Sequence, residues 1–172
     1  MLSDPSGPAE DLLAAVVARY GLDDIAQGEA LPSRRWIGHG QPGQIAADEE
    51  QALNPKGSLV VSLGGITTTV GTGGTDDRAR VAGYTTTHTA SYVLRLMRPY
   101  PTVQGDTSPP APAKVTAAAL VCLRDSARLV DALHAWAGAL PRELRVSLGQ
   151  VEPVGPGGML SGNRVTANLW PL

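Results

Sequence analysis

With 172 residues, 14 Lys and Arg against 16 Asp and Glu, and a formal charge of −2, the chain has the length of one domain with room for a core. The charges are dispersed, which excludes a basic block for nucleic acid and an acidic tail for a basic partner. Aromatic residues make up 4% and Phe is absent, so the core has to be built from Ala, Val and Leu, while 20 Gly and 14 Pro point to long loops.

The single Cys122 cannot close an internal disulfide and has no Cys or His at metal-ligand spacing; a reducing compartment fits. No apolar run reaches the roughly 18 residues that span a bilayer. The acidic start, MLSDPSGPAED, does not read as a signal peptide.

In chain order, SGPAEDLLAAVVARYG predicts a helix. Pro8 suits its first position, Glu10 and Asp11 suit the positive end of the dipole, and Leu12, Leu13, Val16 and Val17 form the apolar face. LPSRRWIGHGQPG is a short extended piece. GSLVVSLGGITTTVGTGG is β-rich, with Leu59, Val61 and Leu63 on one face. A polar Gly/Thr loop of about 71–87 follows.

YTTTHTASYVLRLMRPYP is the best strand, with Tyr92, Leu94 and Leu96 alternating against Val93, Arg95 and Met97. A proline-rich link of about 104–112 leads to a long helix over Ala113 to Ala137. Its stripe is Val115, Ala119, Cys122, Ser126, Leu129, Leu133 and Trp136, widened by Leu120, Leu123, Ala127 and Val130. Gly138 and Pro141 end it. The tail supplies two strands around a Gly/Pro turn, with Val146 and Leu148 on one and Val165, Ala167 and Leu169 on the other. The order predicts a single α+β domain over 1–172: a mainly antiparallel sheet packed against the long helix and an N-terminal helix.

Gly38, Gly40 and Gly43 spell G-x-G-x-x-G. A dinucleotide turn needs a buried apolar strand before it and an acid closing the next strand. RRWI carries two arginines, and SLVVSL ends in Gly64-Gly65-Ile66, so a bend is the better reading and a small nucleotide-binding enzyme the remote one. His39, His88 and His134 form no ligand spacing, and no serine sits in a nucleophile elbow. No catalytic residue, metal ligand or cofactor is expected.

Several stretches in order resemble the tail-terminator and head-to-tail connector proteins of siphoviruses that infect actinobacteria. They are AEDLLAAVVARYG, LPSRRWIGHGQPGQIAADEEQAL followed by SLVVSL, ASYVLRLMRPYPTVQGDTSPPAPAKVTAAAL, and VEPVGPGGMLSGNRVTANLWPL. The insertion NPKG before LVVSL departs from the family pattern. The resemblance implies a virion structural protein with a tail-tube-like fold. It implies a hexameric ring at the head–tail junction, assembled in the host cytoplasm, that caps the tail tube. Partners would be the tail tube protein and a head-completion or stopper protein, with DNA passing through the lumen without sequence-specific contact. A different connector ring, stopper or adaptor, is the alternative.

In that setting Arg95 and Arg98 would meet acids of a neighbouring subunit, against the competing reading of a solvated sheet face. Asp76, Asp77 and Arg80 in one loop, and Gln104 and Asp106 in the proline-rich link, would lie at contacts, against the competing reading of plain loops.

Overall fold

The computed structural model describes residues 4–22, 29–39, 56–72, 84–101, 109–157 and 159–171. Among the described residues two helices, α1 (Ser6–Gly21) and α2 (Pro112–Ala139), lie with a six-stranded sheet. The strands are β1 (Arg35–His39), β2 (Ser58–Thr72), β3 (Tyr84–Pro99), β4 (Arg145–Leu148), β5 (Glu152–Gly157) and β6 (Leu160–Trp170). The α+β class is as the sequence predicts.

The sheet runs β1-β2-β3-β6, and β4 and β5 share the remaining edge of β6. The tail therefore holds three strands where the alternation predicts two, because VEPVGPG pairs with Leu160–Arg164 instead of serving only as a turn. All pairings are antiparallel except β1 with β2, which is parallel from Arg35↔Leu59 to His39↔Leu63. A parallel pair of this kind cannot be joined by a tight hairpin turn.

Both helices cover one face of the sheet. Leu59 and Val61 of β2, Ala90, Tyr92, Leu94 and Leu96 of β3, and Val165, Ala167 and Leu169 of β6 point into this layer, as the period-2 alternation predicts. Helix α1 adds Ala9, Leu12, Val16 and Tyr20, and α2 adds Leu129, Ala132, Leu133 and Trp136. With no Phe available, the Trp136 ring sets its edge against Tyr92, centroids 6.3 Å apart at 76°. Helix α1 begins at Ser6, whose N–H donates to Asp4 Oδ1 at 2.8 Å, so Pro8 sits within the first turn and not at its start. Alanines at 14, 15 and 18 of α1 and at 135 and 139 of α2 line a shallow cleft between the two helices.

Two glycines are required by close backbone approach. Gly57, the last residue of the NPKG insertion, has φ +73, and a Cβ there would stand 2.5 Å from the Met97 carbonyl oxygen. At Gly162 a Cβ would collide with the Leu96 carbonyl and lie 2.9 Å from Met97 Cα, so only glycine lets β6 run this close to β3.

Candidate functional site

Where α1, α2 and the end of β3 meet, a polar group is buried in the otherwise apolar layer. Asp125 of α2 is 1% exposed and Arg98 of β3 is 8% exposed. Arg98 grips the carboxylate with two nitrogens: Nε donates to Oδ2, and Nη2 donates to Oδ1 at 3.0 Å. Tyr20, in the last turn of α1, donates its hydroxyl to the same Oδ1 at 2.5 Å. The other faces of the guanidinium reach the chain that leads into β1. Nη1 donates to the Ala30 carbonyl and Nη2 to the Glu29 carbonyl, each at 2.8 Å.

The Glu29 carboxylate is held in turn by Arg124 at 2.5 Å and by Arg128 at 3.1 Å, and the Arg128 guanidinium also lies over the Tyr20 ring. Two carboxylates thus face three guanidiniums. The hydrogen bond from Arg124 holds the Glu29 carboxyl below its usual 4.5 against the opposing effect of desolvation. Burial first, then the Asp125 charge, pushes the Tyr20 phenol well above its usual 10.0, which keeps it a donor. Asp125 accepts from Tyr20 and from two Arg98 nitrogens, so its oxygens are committed to the fold. This arrangement is a structural pin joining two helices, a strand and a connecting segment.

The pin corrects one expectation. Arg98 does not wait for an acid on a neighbour, because its own chain supplies Asp125. Arg95, three residues earlier and on the opposite face, is half-buried between Val60 of β2 and Arg164 of β6 in register. Asp76, Asp77, Arg80, Gln104 and Asp106 lie outside the described residues. Asp125 itself escapes a hydropathy reading, since Cys122 and Ser126 account for that turn of the stripe. The available signal is its spacing, three after Cys122 and four before Leu129, which puts an acid on the core face and demands a buried cation.

A second feature is an arm. Among the described residues, the β1 pairing with β2 runs to Leu63 and the β6 pairing with β3 to Ala90. A bulge between Leu63 and Gly65 re-aims β2 there. Beyond it, among the described residues, β2 and β3 continue as a two-stranded ribbon to Thr72↔Tyr84, about 20 Å past the last third-strand contact. Residues 64–69 are exposed and Ile66 is 50% exposed. The loop expected over 71–87 is therefore partly strand, since Gly71, Thr72 and Tyr84–Thr87 are paired. The threonines are β-branched and suit a ribbon, and Thr68 Oγ1 meets His88 Nδ1 across it at 3.0 Å.

The glycine fingerprint departs from a dinucleotide turn in geometry. Gly38 lies inside β1, opposite Ser62, and not in a turn after the strand. β1 is a sheet edge with Ile37 40% exposed, where the nucleotide motif needs a buried central strand. β2 does not end at an acid but runs on into the arm. Gly40 and Gly43 lie outside the described residues.

No protein-family model matches the chain, and no curated protein matches it either. Among the described residues no helix is long and apolar enough to cross a membrane.

Proposed function

We propose that the protein is a structural subunit of a phage virion, a tail terminator that forms a ring at the head–tail junction and caps the tail tube. The observation that carries this reading is the arm. A ribbon of two strands, exposed over residues 64–69, is marginal by itself, and such a ribbon gains stability by lying on a neighbour. A ring subunit offers that neighbour beside it and, at the tube end, below it. The ordered set of stretches that resemble the connector proteins supports the same reading. So does the pin, which spends the strongest charged groups on rigidity and leaves the shape of the body fixed for assembly.

The test is negative-stain imaging of the purified chain, alone and mixed with tail tubes. The expected result is a six-fold ring that seats on tube ends and stops their growth. A protein that binds only the portal side of the connector turns the reading to a stopper or adaptor ring. A protein that forms no ring and binds neither side overturns it.

A further inference from the structure

The widening stripe of α2 does not enter the core. Leu120 is 46% exposed, Leu123 66% and Val130 39%, and Ala127 between them is exposed. The exposed side of this 28-residue helix is mostly Ala with these larger residues, and Lys114, Arg124 and Asp131 are its only formal charges. A solvated helix face is ordinarily rich in charge. We propose that this face is the contact between two copies of the chain, with the two α2 helices packed antiparallel about a two-fold axis near Asp125.

The spacing is self-complementary. Leu120, Leu123, Ala127 and Val130 follow one another at steps of three, four and three, the a/d pattern of a helix seam. The set is symmetric about position 125. Reversing one helix puts Leu120 opposite Val130 of the second copy and Leu123 opposite Ala127, a large side chain over a small one at each central layer. The groove beside Leu123, about 490 Å³ between α2 and the β5–β6 hairpin, leaves room on that flank for a second helix.

Charge selects the second copy as the occupant. Arg124 and Asp131 follow Leu123 and Val130 directly and border the same side of the seam. Positions seven apart on one border face each other in an antiparallel pair, so Arg124 meets Asp131 of the second copy, and symmetry makes the pair twice. Both groups are accessible, Arg124 at 48% and Asp131 at 56%. Within its own chain Arg124 holds Glu29, and Asp131 holds Arg19 at 3.1 Å. The contact then builds a run of alternating charge: Glu29, Arg124, Asp131 of the second copy, and its Arg19.

The chain should sediment at twice its 17.8 kDa, or at twelve times it where it also closes six-fold rings, since a ring of six alone contains no such two-fold axis. Arg124→Asp and Asp131→Arg should each weaken association about tenfold, since each turns two attractive pairs into repulsive ones. Combined, they should restore it to within about threefold, although both intrachain partners stay lost. Leu123→Glu should abolish association while leaving the thermal unfolding of the body unchanged. A wild-type monomer at every concentration overturns the contact and leaves the face to a different protein. So does a multimer that none of these substitutions disturbs, an outcome that leaves the ring reading standing. A double reversal weaker than either single one overturns it as well.

Discussion

Arg98 on β3 and Asp125 on α2 form a bidentate ion pair sealed from water, and the same guanidinium holds the carbonyls of Glu29 and Ala30. Removing one partner strands the other in a low-dielectric site. Arg98→Met is expected to cost about 3–5 kcal/mol of unfolding free energy, measured by urea titration at neutral pH. Adding Asp125→Asn should recover at least about 1 kcal/mol, because the amide carries no uncompensated charge. Equal stability of wild type and Arg98→Met would contradict the pin.

Alkaline pH should loosen the fold through its phenols. Burial, with the Asp4 charge adding to it, pushes Tyr92 from 10.0 up to about 12, and its hydroxyl donates to the Pro5 carbonyl at 2.9 Å. Tyr20 is raised by burial and by Asp125. Between the unfolded and folded values the native state binds more protons than the unfolded chain. The stabilisation is therefore complete below about pH 10 and is lost as pH climbs toward 12. Tyr92→Phe should flatten this decline. The check is the urea midpoint of both proteins across that range, and parallel declines would refute the assignment.

Gly162 should tolerate no side chain. In Gly162→Ala the new methyl meets the Leu96 carbonyl and Met97 Cα on the adjacent strand, where backbone cannot yield without breaking the β3–β6 ladder. The expected loss is at least about 3 kcal/mol, seen as a lowered melting temperature or insoluble expression. Gly65→Ala, with nothing within 4 Å of its Cβ, is the control and should stay near wild type.

The arm should separate folding from assembly. Joining Ile66 to Ala90, which are paired, through an Asn-Gly turn removes the ribbon but leaves every pairing of β3 with β6 intact. The body should keep its stability to within about 1 kcal/mol, because the shortened chain retains every core residue of β2 and β3. Ring formation and tube capping should be lost. Unfolding of the shortened chain would place the arm in the fold instead.

The sequence by itself determined both helices, the central strands and most of the faces they bury. The alternation of Tyr92, Leu94 and Leu96, and the helical spacing of Leu129, Leu133 and Trp136, are local periodicities, and each predicts a core contact that the packing contains. Periodicity says which residues share a face, but not what stands opposite. For that reason Leu120, Leu123, Ala127 and Val130 looked like the edge of a core stripe, while the tertiary structure leaves them outside it. The partners of Asp125 were hidden for the same reason: Tyr20 and Arg98 are 105 and 27 residues away in the chain. The parallel pairing of β1, the third strand of the tail and the ribbon beyond Gly65 were also decided only in three dimensions. Each depends on backbone hydrogen bonds between distant segments, which side-chain pattern alone does not encode.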